Sequence, residues 1–269
     1  MSIKNIKIGV FSILFLLAFN LTAQETVSIP LSNSKQAGIL KMGIIRGSIN
    51  VVGYDGNEVV VTGNRRKDRH SSSRRGKSGL KKISNQSMEF EVEELDNTVR
   101  IQSSPVATID FEIKVPKKFS LKISTVNQGS IYVENVEGAM DISNTNGGIV
   151  LKDISGSVSA DALNKDIVVS FKKVTPNTAM AFSSLNGDID VTFPKNLKAD
   201  VKIKSDRGEI YTDFDLKAKP SKAKVTKGNS KKGNAYRVKV ENWITGAING
   251  GGPELLFKNF NGDVIIRSN

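Results

Sequence analysis

The chain has 269 residues, 38% of them hydrophobic and 25% charged, ample for one sizeable core. It contains no cysteine and a single histidine, His70; disulfides, a lipid-modified N-terminal cysteine, histidine-based triads and multi-histidine metal sites are therefore excluded for this chain alone. The formal charge of +12 is unevenly spread: Asn64 to Lys82 carries nine basic residues and one acid, Lys217 to Lys239 nine and none, and the rest beyond residue 23 carries 19 basic against 26 acidic residues.

In residues 1–23, Lys4 and Lys7 precede an apolar run, Ile8 to Phe19, and the segment closes on Ala23. This is the pattern of a secretory signal peptide cut after Ala23. The run is shorter than the ~20 residues of a membrane span, and no later segment reaches that length, so no mature transmembrane segment is expected. Export to the periplasm, the outer surface or the medium is expected, with residues 24–269 as one domain.

Arg46 to Gly63 reads as two alternating strands around a Tyr-Asp-Gly-Asn turn. Residues 64–87 form the first basic insertion. Met88 to Glu94, Thr98 to Gln102, Ile109 to Val115 and Phe119 to Ser124 continue the β pattern. From there the chain repeats itself. Ile131, Ile149, Ile167, Ile189 and Ile210 follow one another at 18, 18, 22 and 21 residues, a period that points to a solenoid. Each is followed by two-residue alternation, the signature of a strand with one buried face. Met140 and Ile142 match Val158 and Ala160 half a unit along, giving each coil at least two short strands.

Stacking such coils creates columns. Gly129, Gly138, Gly147, Gly156, Gly187 and Gly208 mark corners, where glycine can take a positive φ. Gln128, Asn146, Asn164 and Asn186, with Arg207 ending the series, align as an amide ladder with ~4.8 Å between coils. Val136, Ile154, Val174, Leu197 and Leu216 align as an apolar corner. A second basic insertion covers residues 217–235; Tyr236 to Val240 and the phrase F-N-G-D-V-I-I-R, Phe260 to Arg267, close the chain. The expected fold is all-β: a single parallel β-solenoid with coils of about 18–22 residues and two disordered basic loops.

The phrases G-S-I-N-V-V-G-Y-D-G-N-E-V-V-V-T, N-Q-G-S-I-Y-V-E-N-V-E-G, N-T-N-G-G-I-V-L-K-D-I-S-G and L-N-G-D-I-D-V resemble the bacterial putative-adhesin families of β-strand-repeat domains of unknown function. The resemblance spans Lys35 to Asn269, interrupted by the basic insertions. It implies an exported parallel β-solenoid without known catalytic residues. Asn164-Lys165-Asp166 departs from the Asn-Gly-Asp of the other turns.

No catalytic residues and no cofactor are expected. Gly76-Lys77-Ser78 lacks the first glycine and the apolar strand of a phosphate-binding loop. Ser32 to Lys35 and Ser170 to Lys173 fit Ser-x-x-Lys without the helix or the Lys-Thr-Gly that serine acyl enzymes require. Trp243 beside Val240 and Ile244 reads as core. Asp166, Asp188 and Glu209 fall in one outward column, the single place where a hard cation could sit; screening by lysines and solvent is preferred, because no converging set of six to eight oxygens is present.

The expected function is an exported, non-catalytic binding or scaffold module of the bacterial cell envelope. Its alternative is a polysaccharide-active β-helix enzyme using surface carboxylates, for which Asp188, Asp190, Asp213 and Asp215 are the raw material. The expected partners are an anionic envelope polysaccharide, a membrane surface or another envelope protein. Contacts would come from Arg65, Arg66, Lys67, Arg69, Arg74, Arg75 and Lys77 in the first insertion, and from Lys217, Lys219, Lys222, Lys224, Lys227, Lys231 and Lys232 in the second. Nucleic acid is disfavoured, since these segments lack interleaved aromatics for base stacking.

Overall fold

The computed structural model describes residues 24–66, 90–217, 219–220, 225–227, 236–238 and 243–269. They hold the strands β1 (Gln24–Pro30), β2 (Gly38–Arg46), β3 (Ile49–Tyr54), β4 (Glu58–Arg65), β5 (Phe90–Leu95), β6 (Thr98–Ser103), β7 (Ile109–Pro116) and β8 (Phe119–Asn127). Next come β9 (Ile131–Glu134), β10 (Glu137–Asn144), β11 (Ile149–Ala162), β12 (Ile167–Val174), β13 (Met180–Asn186), β14 (Ile189–Phe193), β15 (Ala199–Ser205) and β16 (Ile210–Thr212). The last are β17 (Lys219–Pro220), β18 (Val225–Lys227), β19 (Tyr236–Val238), β20 (Ile244–Ile248), β21 (Glu254–Asn261) and β22 (Val264–Ser268). Among the described residues there is no helix, and none long and apolar enough to cross a membrane.

Twenty strands form one sheet with two faces, because β11 bends through Asp153 and Gly156 and contributes to both. One face runs β5–β6–β2–β8–β10–β11–β13–β21–β15–β20–β17. The other runs β1–β4–β7–β3–β9–β11–β12–β14–β22–β16. Alternation puts every second side chain between the faces, as in the burial pattern of β3 and β14. The slab is filled by one hydrophobic cluster in which Phe171 stacks on Phe193 at 5.0 Å and Phe182 on Phe257 at 5.1 Å. Phe182 meets Phe193 edge-on across the slab at 6.3 Å.

The repeat columns form with the expected registers. Ile131, Ile149, Ile167 and Ile189 are successive partners, and Met140 and Ile142 pair with Val158 and Ala160. The stacking order differs from the chain order at both ends. β2 and β3 lie between β6–β7 and β8–β9, while β21 and β22 lie between β13–β14 and β15–β16. Val264 therefore sits between Ile189 and Ile210. Each terminal repeat buries two flanks instead of one, which holds the ends of the repeat array against fraying.

The expectation of an entirely parallel stack is corrected. The central coils are parallel, but β4 and β5 cover one end antiparallel to β7 and β6, and β20 covers the other antiparallel to β15. A bare parallel end would present a row of unpaired backbone groups, and the reversed strands satisfy them. The first basic insertion begins later than expected, since Asn64 and Arg65 are ladder residues of β4 opposite Asp110 and Ile109. The second, expected to lack regular structure, contains β17 and β18; β18 pairs antiparallel with β19. The corner glycines act mostly by close approach rather than by positive φ: a Cβ on Gly147 would lie 1.9 Å from the carbonyl oxygen of Gly129, whereas Gly156 does adopt φ +129°.

Candidate functional site

The corner where one face turns into the other collects most of the polar chemistry of the sequence motifs. Its outermost column is an amide ladder. Asn146 Nδ2 donates to Asn127 Oδ1 at 2.6 Å, Asn164 to Asn146 at 2.7 Å, Asn186 to Asn164 at 2.9 Å and Asn261 to Asn186 at 2.8 Å. Asn127, not Gln128, starts it; Gln128 instead accepts from the Thr108 hydroxyl at 3.1 Å. Asn261 extends the ladder because its coil is inserted above Asn186. Behind it lie buried polar side chains that satisfy the corner carbonyls. Asn144 donates to the oxygens of Gly129 and Gly148, and Asn259, 1% exposed, to those of Gly187 and Asp263.

The acidic column is built in the same way. Asp166, Asp188, Asp263 and Glu209 occupy successive coils. Asp166 Oδ1 accepts the backbone N–H of Asp188 at 2.9 Å, Asp188 Oδ1 that of Asp263 at 2.8 Å, and Asp263 Oδ1 that of Glu209 at 2.8 Å. Each carboxylate is turned along the stack toward a donor in the next coil, so like charges at strand spacing are held apart by the N–H groups between them. Among the described residues no three His, Asp or Glu side chains gather to hold a metal. Asp263 was hidden from the column by its position in the chain, although N-G-D of Asn261 to Asp263 repeats N-G-D of Asn186 to Asp188.

At one end of the same column stands Asp110, the most constrained carboxylate of the surface. Its Oδ1 accepts from the Ser48 backbone N–H at 2.8 Å and hydroxyl at 2.6 Å, and the Arg66 guanidinium grips both oxygens at 2.6 Å while its third nitrogen donates to the Gln128 carbonyl. Burial alone would push the Asp110 carboxyl up; the hydrogen bonds from Arg66 and Ser48 and the Arg66 charge outweigh it and hold the carboxyl below its usual value. Arg66, one of the expected contacts, is thus ion-paired while its side chain stays 45% exposed. Arg65 lies half-buried in β4.

The other expected contacts are dispersed. Lys217 is exposed; Lys219 and Lys227 lie in β17 and β18; Lys67, Arg69, Arg74, Arg75, Lys77, Lys222, Lys224, Lys231 and Lys232 fall outside the described residues. The residues flanking the two segments, Arg66 and Phe90 on one side and Lys217 and Trp243 on the other, sit at opposite ends of the stack. Trp243 is half-buried, with the Lys202 ammonium 4.6 Å from its ring centroid.

Of the carboxylates of the enzymatic alternative, Asp190 and Asp213 both lie near the Arg267 guanidinium, and three of the four are engaged by the fold. Asp188 accepts the Asp263 N–H, Asp190 is held by the Arg267 guanidinium at 2.9 and 3.0 Å, Asp213 accepts the Ser268 N–H at 2.7 Å, and Asp215 is exposed. The Asp190 contact raises the pKa of Arg267 further. On the same outer face Lys152 binds Glu134 at 3.0 Å, and Tyr132 donates its hydroxyl to the same carboxylate at 3.0 Å. Those hydrogen bonds, Lys152 first, hold Glu134 below its usual value.

Three solved structures are similar to the chain at low identity. A "putative cell adhesion protein" from Clostridium sporogenes is 13% identical with a TM-score of 0.45, covering 93% of this chain and all of that one. A "putative adhesin" from Bacteroides fragilis is 12% identical with a TM-score of 0.34, covering 91% and 97% of the two chains. A "putative adhesin" from Parabacteroides merdae is 10% identical with a TM-score of 0.30, covering 91% and 96%. No curated protein matches the chain. The model of the Toastrack DUF4097 family matches residues 20–242, and the chain belongs to that family.

Proposed function

We propose that the protein is an exported, non-catalytic binding or scaffold module of the bacterial cell envelope, held to anionic polysaccharide or lipid surface by its basic segments. The observation that carries the non-catalytic half is the fate of the surface carboxylates. Asp166, Asp188, Asp190, Asp213 and Asp263 each accept a hydrogen bond or ion pair that the fold itself supplies. A glycosidase needs two carboxylates facing each other across a substrate groove, roughly 5–10 Å apart, with one free to donate a proton. Four of these are aimed at backbone N–H groups and Asp190 at the Arg267 guanidinium.

Export is supported by the basic start, apolar run and Ala23 of residues 1–23. The polyanion half is supported by the charge distribution, with nine basic residues in each of two short segments on an otherwise acidic chain. Because their flanking residues lie at opposite ends of the stack, an anionic polymer would be met at either end rather than on one common face.

The test is incubation with a panel of anionic polysaccharides and anionic vesicles, reading both co-sedimentation and new reducing ends. Binding that fades as salt shortens the Debye length to ~8 Å, with no new reducing ends, is the expected result. New reducing ends would overturn the non-catalytic reading. Unchanged binding after Lys67, Arg69, Arg74 and Arg75 are replaced by serine would remove the first segment from the contact; Arg66 is kept because it clamps Asp110.

A further inference from the structure

The face that carries β2, β8, β10, β13 and β21 presents two features to solvent side by side. At the ends of its strands stands an apolar ridge: Ile45 is 46% exposed, Val126 39%, Leu163 40%, Leu185 41% and Phe260 38%, with Thr145 between Val126 and Leu163. These residues follow the paired column Ile44, Thr125, Asn144, Ala162, Ser184 and Asn259, so they lie in one line across consecutive strands. Near the beginnings of the same strands runs an open trough of about 610 Å³, floored by small side chains including Ser120, Ala139, Ser157, Ala179 and Ala181.

The two features are in register. Six residues separate Ser120 from Val126, Ala139 from Thr145, Ser157 from Leu163 and Ala179 from Leu185. Every central strand thus carries a small residue in the trough and a larger one on the ridge, both pointing outward. A two-fold axis lying against the face and parallel to the stacking direction reverses the strands while keeping each coil level with its copy. It sets Leu163 over Ser157 and Leu185 over Ala179 of a second chain, and the reciprocal pairs follow by symmetry.

We propose that this face is a homodimer interface in which the ridge of each copy fills the trough of the other. Six strands at ~4.8 Å and six residue steps at ~3.3 Å enclose roughly 500 Å² before side-chain relief is added, approaching the ~800 Å² per partner of a stable dimer. Between ridge and trough Lys122 contacts Asp141 at 3.2 Å within each copy, and the same two-fold axis sets the exposed Asp161 over Ser159 of the second chain, whose hydroxyl can donate to it. The outer residues of the opposite face, Asp190 with Arg267 and Glu134 with Lys152, offer no comparable ridge and trough.

The protein purified from a host that exports it should sediment as a dimer at ~100 μM and dissociate on dilution. Leu185→Glu on the ridge and Ala179→Arg in the trough should each weaken association by about tenfold or more while leaving circular dichroism and melting temperature close to the parent. Val168→Glu, on the opposite face, should not. Since the chain has no cysteine, an Ala179→Cys variant mixed with a Leu185→Cys variant should form disulfide-linked dimers under mild oxidation, and each variant alone far fewer. A monomer at ~100 μM would overturn the proposal, as would a dimer indifferent to both face variants or cross-linking by Leu185→Cys alone.

Discussion

The backbone N–H of Asp263 donates to Asp188 Oδ1 at 2.8 Å although the two residues are 75 positions apart. The contact records that the final repeat is inserted between two earlier ones. It is reinforced inside the slab, where Phe257 of that repeat stacks on Phe182, and on the second face, where Val264 pairs with both Ile189 and Ile210. The last repeat is therefore a central structural member, not an appendage.

Truncating its anchor should show this directly. Phe257 is fully buried, and Phe257→Ala should cost about 3–5 kcal/mol, the usual penalty for emptying an aromatic site in a packed core. Urea unfolding at neutral pH measures it through the shift in midpoint. A cost under about 1 kcal/mol would mean that the repeat is loosely held.

Neighbouring residues of one strand should differ sharply. Ile149 is fully buried between Ile131 and Ile167, whereas Val150 points outward. Ile149→Asp places a carboxylate in the apolar slab and should cost several kcal/mol or prevent folding. Val150→Asp should change stability by less than about 1 kcal/mol. Similar losses in thermal melts of the two variants would contradict the facing assigned to β11.

Those facings were legible in the sequence because the two-residue period fixes which side of a strand is buried, and because the same phrase recurs at Ile131, Ile149, Ile167 and Ile189. The stacking order was not. Residues 260–267 carry the pattern of residues 185–192, and a repeat that fits above one coil fits above any other, so the phrase alone cannot say where it inserts. Antiparallel strands cover the outer positions at β6, β7 and β15. The amide ladder shows the same division: its middle, Asn146 to Asn186, follows from the repeat, whereas Asn261 follows from coil order and Asn127 was displaced by one extra residue, lying four before Ile131 where Asn146 lies three before Ile149. The pairing of Arg66 with Asp110 spans 44 residues outside any repeat and left no periodic signal.

The acidic column should behave as structure rather than as a cation site. Asp188→Asn retains an oxygen to accept the Asp263 N–H and should cost well under 1 kcal/mol, whereas Asp188→Ala removes the acceptor and should cost about 1 kcal/mol. Titration with calcium at micromolar concentration should release no saturable heat, since one oxygen per coil is already committed to backbone. Stoichiometric heat abolished by Asp188→Asn would reverse this assignment.

The clamp on Asp110 should make stability depend on pH in one direction. Its carboxyl is held below the usual value in the folded protein, so the unfolded chain takes up the proton first as acid is added. The stabilisation is fully present above the unfolded pKa of ~4 and is lost as pH falls through it toward the lower folded value. Asp110 is 26% exposed and Arg66 45%, which leaves the pair partly screened and its contribution near 1–2 kcal/mol at neutral pH. Asp110→Asn should therefore melt below the parent at pH 7, and the gap should narrow as pH falls below ~4 toward the depressed folded value. Arg66→Ala should reproduce the neutral-pH loss and, in the double variant with Asp110→Asn, add little further. A gap between parent and Asp110→Asn that stays constant from pH 7 to pH ~3 would show that the carboxyl acts through hydrogen-bond geometry alone, and that its charge contributes nothing to holding β7 against β3.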